Sequence, residues 1–126
     1  MPSEVSIAST VSETTTTLQN AAAAPANGTT LTLLLADDLV TLNIVNSAGT
    51  ATVVIEESID GGGAWSAGLA AELVASALTL VTSVALAANT RRFLYTRPPG
   101  VNALRCRVSA AAVGTVTATA TVRRRT

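Results

Sequence analysis

The sequence predicts an all-β fold: an antiparallel β-sandwich, jelly-roll or immunoglobulin-like, with about seven or eight strands and an extended N-terminal arm. Three observations predict it. Apolar and hydroxyl side chains alternate with a two-residue period in several separate stretches, as they do in a strand with one buried face. Turn residues divide those stretches at short intervals: Asn27-Gly28, Ser47-Ala48-Gly49, Gly61-Gly62-Gly63 and Pro98-Pro99-Gly100. The composition is 48% hydrophobic against 13% charged, with Trp65, Phe93 and Tyr95 as its aromatics, so the core must be made of Leu, Val, Ile and Ala. A chain of 126 residues suits one domain, assigned to residues 21–126 and preceded by an arm over residues 1–20.

The arm contains Thr14, Thr15, Thr16 and Thr17, a β-branched run that prefers extension and carries too little apolar bulk to pack alone. The competing reading of these residues is a disordered terminus. Leu18 to Ala24 reads as one helical turn stopped by Pro25, because the residue before proline avoids the helical region. Leu31, Leu33 and Leu35 alternate with threonines, and Val40, Leu42 and Ile44 alternate with Thr41 and Asn43, with Asp37-Asp38 as the turn between the two strands. Val53 and Ile55 point one way, while Thr52, Val54 and Glu56 point the other. Trp65, Leu69 and Leu73 fall at helical spacing, so residues 64–77 fit a short amphipathic helix as well as a strand, although Gly68 weakens the helix. Leu78, Leu80, Val84 and Leu86 share one strand parity. Residues 91–96 and 101–110 read as a hairpin about the proline-glycine turn. Thr115, Thr117, Thr119 and Thr121 then alternate strictly with Val116, Ala118, Ala120 and Val122.

Charge is segregated along the chain. All carboxylates lie at or before Glu72, all cations are arginines at or after Arg91, and the net charge is zero. Without histidine, and with one cysteine, there is no metal cluster and no internal disulfide to expect, and no cofactor is implied. Cys106 alternates with Arg105 and Arg107 and reads as a small buried hydrophobe. The triple glycine lacks the lysine of a phosphate loop. Adjacent Glu56 and Glu57 project to opposite faces of a strand, which argues against a glycosidase pair. Asp60 beside the glycines lacks the oxygen ligands that calcium needs. The N-terminus has no secretory signal, and the uncharged run before Arg91 is interrupted by Ser76, Thr79, Thr82, Ser83 and Asn89, so neither secretion nor a membrane span is expected.

The arginines are the candidate binding groups. Arg91 and Arg97 share parity with Phe93 and Tyr95, and Arg105 and Arg107 share parity on the next strand, so one hairpin face reads either as a basic ribbon or as an ordinary solvated face. With the arm residues Thr14, Thr15, Thr16, Thr17 and Leu18, they make up the expected partner-binding set.

The segment Leu18-Gln19-Asn20 with its alanines, Asn27-Gly28-Thr29, Gly49-Thr50-Ala51-Thr52-Val53, Glu57-Ser58-Ile59-Asp60-Gly61-Gly62 and Trp65 resembles small virion structural proteins of tailed bacteriophages, and Leu104-Arg105-Cys106-Arg107-Val108 is similar too. The resemblance implies a non-enzymatic capsid decoration or tail accessory protein located in the virion. It implies binding to the major capsid protein or other virion subunits, often as a homo-oligomer such as a trimer, with the arm adding a strand to a neighbour. Two rival functions stand beside it. One is a carbohydrate- or receptor-binding sandwich that uses Trp65 or Tyr95 as a stacking platform. The other is a nucleic-acid module using the arginines and the Arg123-Arg124-Arg125 tail, which zero net charge and scarce aromatics disfavour.

Overall fold

The computed structural model describes residues 11–34, 37–74, 77–96, 100–111 and 114–125. Eleven strands follow in order: β1 Val11–Ala22, β2 Leu31–Thr32, β3 Asp37–Asn46, β4 Ala51–Ser58, β5 Ser66–Ala67, β6 Ala70–Val74, β7 Ala77–Val81, β8 Ser83–Leu86, β9 Thr90–Thr96, β10 Ala103–Ala111 and β11 Val116–Arg125. Six of them form one sheet in the order β1-β11-β3-β9-β6-β7. The other five form the second sheet, β2-β10-β4-β5, with β8 also paired to β4. Every pairing is antiparallel. The two sheets enclose one aliphatic core, and the fold is the predicted antiparallel β-sandwich.

The cleanest alternations place the core. Val40, Leu42 and Ile44 of β3, Val53 and Ile55 of β4, and Val116, Ala118 and Ala120 of β11 are all fully buried, while the residues between them face outward. Truncating one of the large members, Leu42 to Ala for example, costs about 2–5 kcal/mol through lost transfer energy and the cavity left behind. The eleven strands of the described residues exceed the expected seven or eight because the expected arm supplies β1 and the middle of the chain breaks into the short strands β5, β6, β7 and β8. Residues 64–74 contain no helix. Gly68 donates its N–H to Ile55 O at 2.7 Å, holding this stretch extended against β4.

Several local expectations are corrected. The helical turn over residues 18–24 does not form, because β1 continues to Ala22 along β11. Residues 11–20 of the expected arm are the greater part of that strand, and the boundary expected after residue 20 falls inside it; threonine extension is satisfied within the molecule's own sheet. Residues 1–10 lie outside the described residues. Asp37 and Asp38 begin β3 rather than turning; Asp37 is buried, accepting from Leu34 N–H at 2.7 Å and from Arg124 Nε at 2.6 Å. Strands β9 and β10 do not form a hairpin, since they belong to different sheets.

Polar side chains also tie the two sheets together. At the β1 side, consecutive Leu18 and Gln19 both turn inward through a register shift, and Gln19 Nε2 donates to Ala26 O at 3.0 Å and to Cys106 O at 2.8 Å. The segment after β1 crosses to the second sheet and runs along β10, with Ala26 and Val108 exchanging both backbone hydrogen bonds. Gly28 makes that turn with φ +78, and a side chain there would meet Gln19 Nε2 at 2.5 Å and Leu18 O at 2.7 Å. On the β3 side, buried Asn46 Nδ2 lies within 3.2 Å of Gly49 O, Leu86 O and Ala87 O, tying β3 to the end of β8.

Candidate functional site

The register of the six-stranded sheet sets out its solvent face row by row. One row runs Thr15, Thr121, Thr41, Tyr95, Ala71, Leu80 across all six strands, and the next runs Thr17, Thr119, Asn43, Phe93. The β1 end of this face is a bed of threonines, with Thr15 and Thr121 hydroxyls 3.1 Å apart. The β7 end is apolar: Leu78 is 68% exposed, Leu80 62%, Phe93 48% and Tyr95 40%. Large apolar groups gathered on one solvent face mark a contact surface more often than a random scatter does.

The apolar end exists because the chain makes an excursion. After β5 has paired with the end of β4, the chain crosses to the six-stranded sheet, forms β6 against β9 and β7 against β6, then returns as β8 beside the start of β4. The return happens at Thr82, whose carbonyl accepts from Ile55 N–H at 2.9 Å. Leu78 and Leu80 therefore lie outside while Val84 and Leu86, of the same parity, lie in the core. Shared parity signals one face only while a strand keeps the same neighbours, and here the neighbours change.

Beneath β6 sits an ion pair that sequence reasoning did not single out. Glu72 is buried and takes both Nε and a terminal nitrogen of Arg92, which also donates to Ala85 O in β8 at 3.1 Å. The guanidinium hydrogen bonds and charge hold the Glu72 carboxyl below its ordinary value and push Arg92 up. No spacing rule could have paired these residues, which are 20 positions apart and joined only by the way β6 meets β9.

The expected binding residues separate into two places. Thr15 and Thr17 lie on the solvent face just described, whereas Thr14 and Thr16 stand opposite Val122 and Ala120 on the other side of the sheet, and Leu18 is buried core. Arg91 stands beside Val45 on the same solvent face as Phe93 and Tyr95. Arg105 and Arg107 sit on the outer face of the five-stranded sheet, on the far side of the molecule. The basic ribbon is thus not formed, because β9 and β10 end in opposite layers. Arg97 lies outside the described residues.

Arg105 and Arg107 are also engaged. Their Nε atoms lie 2.8 and 3.2 Å from the two oxygens of Glu56, and the Arg105 guanidinium stacks 4.2 Å from the Trp65 ring. Trp65 thereby folds the glycine loop down onto the sheet. The Asp60 carboxylate organises that loop, accepting from Ser58 Oγ at 2.6 Å and Ala64 N–H at 2.9 Å, and these bonds lower its pKa. Cys106 is buried as expected, and desolvation pushes its thiol up to about 12, so it is inert as a nucleophile at neutral pH.

The described residues also line concavities on the surface. A shallow groove of about 440 Å³ is lined by small neutral residues, among them Pro25, Thr52 and Ser109. A smaller one of about 270 Å³ lies beside Glu57, Ser58 and Asp60. Among the described residues no group of three His, Cys, Asp or Glu side chains is placed to hold a metal ion, and no helix is long and apolar enough to cross a membrane.

No protein-family model matches the chain, and no curated protein matches it either. Solved structures do. The crystal structure of the SPBc2 prophage-derived protein YomS superposes with a TM-score of 0.77 at 19% identity, covering 97% of this chain and 99% of that one. The PBSX exported protein XepA superposes with a TM-score of 0.75 at 12% identity, covering 90% of this chain, which spans 38% of the length of XepA. At these identities the likeness is one of fold.

Proposed function

We propose that this chain is a phage-associated structural protein without enzymatic activity, which works by docking its sheet surface against other subunits, and that its role is to decorate the assembled virion. The observation that carries the reading is the apolar end of the six-stranded sheet, where Phe93, Tyr95, Leu78 and Leu80 are held in water on a rigid strand framework. The whole-length fold likeness to a prophage-derived protein supports the phage association. Aromatic anchors on a preorganised sheet lose little entropy on binding, so they contribute more per residue than the threonine bed beside them. Repetition over a lattice then adds avidity to a modest single contact.

The test is mass spectrometry of purified virions together with co-sedimentation of the purified chain with those particles. The double variant Phe93→Ser, Tyr95→Ser is expected to lose co-sedimentation while keeping its fold. Equal binding by the variant, or absence of the chain from virions, would overturn the reading.

A second reading, a carbohydrate- or receptor-binding module, is favoured by one observation: Tyr95 is exposed beside hydroxyl side chains, a suitable stacking platform. Trp65 does not serve it, since its ring already stacks with Arg105. Hits on a glycan array that disappear with Tyr95→Ser would select it over decoration. Nucleic-acid binding is disfavoured, because Arg92, Arg105, Arg107 and Arg124 all form ion pairs with carboxylates of the same chain.

A further inference from the structure

Among the described residues, strand β7 ends the six-stranded sheet and pairs on one side only, with β6, so its other row of N–H and C=O groups has no strand beside it. Such an edge is a template for another strand, and soluble proteins guard it with charges, prolines or bulges. This one is unguarded. From residue 73 to residue 90 the chain contains no charged residue and no proline, and β7 pairs with β6 in unbroken register. Residues 77–80 are exposed whichever face they occupy, so the five-stranded sheet does not extend over this strand and leaves room beside it.

The sequence of β7, Ala-Leu-Thr-Leu-Val, is close to a palindrome. We infer that two copies of this chain pair through β7, antiparallel about a twofold axis at Thr79, and that this dimer is the solution form of the protein. In that register Thr79 meets Thr79, Leu78 of each copy meets Leu80 of the other, and Ala77 meets Val81. Each residue meets one an even number of positions away, so outward backbone groups meet outward ones whichever phase of the ladder faces out. A twofold axis normal to the sheet keeps the faces matched. The Leu78 and Leu80 pairs of both copies then form one cluster on the solvent face, each flanked by its own Tyr95 row.

The competing occupant is the opposite edge, β1 of a next copy, which would give a head-to-tail ring or filament. That edge is the guarded one. β1 carries Glu13, has register shifts between Thr17 and Gln19 and between Gln19 and Ala22, and turns Gln19 inward. An uncharged, regular strand matches its own copy better than it matches β1. The inference goes beyond the decoration reading and does not rest on it, since it concerns the purified chain alone.

Sedimentation velocity on the full chain, from about 1 to 200 µM, is expected to show a monomer–dimer equilibrium with a dissociation constant in about the micromolar range, as suits a small interface. Leu80→Lys, a change at an exposed position, is expected to raise that constant at least about 30-fold while circular dichroism stays unchanged. Directly opposed antiparallel residues have Cα atoms about 4.5–5.5 Å apart, within disulfide reach, so Thr79→Cys is expected to give an oxidised dimer. The native Cys106 is buried and stays out of the reaction. A wild-type chain that is monomeric throughout, a trimer or larger ring, or crosslinking of Thr79→Cys to Thr14→Cys, which shares its face of the sheet, in a mixture but not to itself would each overturn the inference. Loss of virion binding with the dimer intact would count against the decoration reading alone.

Discussion

The two edges of the six-stranded sheet are made from similar material and treated oppositely. β1 is rich in threonine and ends in a bulged, inward-turned stretch where Leu18 and Gln19 are buried and Gln19 crosslinks to the second sheet. β7 is leucine-bearing, regular and uncharged, and projects past the second sheet. One edge is used for the stability of the monomer; the other leaves apolar area and backbone groups available to a partner. The comparison teaches that exposure of large side chains here is not a packing failure, since the end of the other edge buries Leu18 and Gln19.

The comparison makes four predictions, from the largest effect to the smallest. Gly28→Ala attacks the closed edge, where a methyl would collide with Gln19 and Leu18 O and the backbone sits at φ +78. A loss of about 3 kcal/mol by urea unfolding is expected, with dimerisation unaffected at temperatures where the variant is folded. Gln19→Leu removes the donor from Ala26 O and Cys106 O, and stability should fall by about 2 kcal/mol as those carbonyls are left without it.

Glu72→Gln probes the ion pair under β6 and should cost about 1–2 kcal/mol at neutral pH. Its signature is in the pH profile. The folded Glu72 carboxyl is held below its ordinary value of 4.5, so its stabilisation is complete above that value and is lost as pH falls through the lower folded one. Thermal melts between pH 7 and strongly acidic conditions should therefore flatten in the variant, and an unchanged slope would remove this account of the pair. Leu80→Lys attacks the open edge and should change monomer stability by less than about 0.5 kcal/mol, because the side chain is in water already. A large loss there would show that β7 belongs to the core rather than to an interface.

How much of this was legible depended on whether the information was local. The strict alternation of β11 and the Val40, Leu42, Ile44 set announced both strand and buried face, because a strand's side-chain period is a property of its own backbone. Cys106 followed by the same rule. Threonines 14 to 17 were legible as extended, but not as partners of residues 119–122, since extension does not say what the strand pairs with. Leu18 to Ala24 carried good helix formers, and pairing with β11 overrode that weak preference. Arg91, Arg105 and Arg107 were legible as outward-facing and illegible as a group.

The sequence by itself determined an all-β sandwich and its aliphatic core, because both follow from residue type and a two-residue period. Only the tertiary structure decided that β9 and β10 lie in opposite layers, that Glu72 meets Arg92, and that Leu78 and Leu80 face water while Val84 and Leu86 do not. The physical reason is that periodicity orders side chains along a strand, whereas the choice of neighbouring strand is made by contacts distant in sequence. That choice is what divides a core leucine from an exposed one.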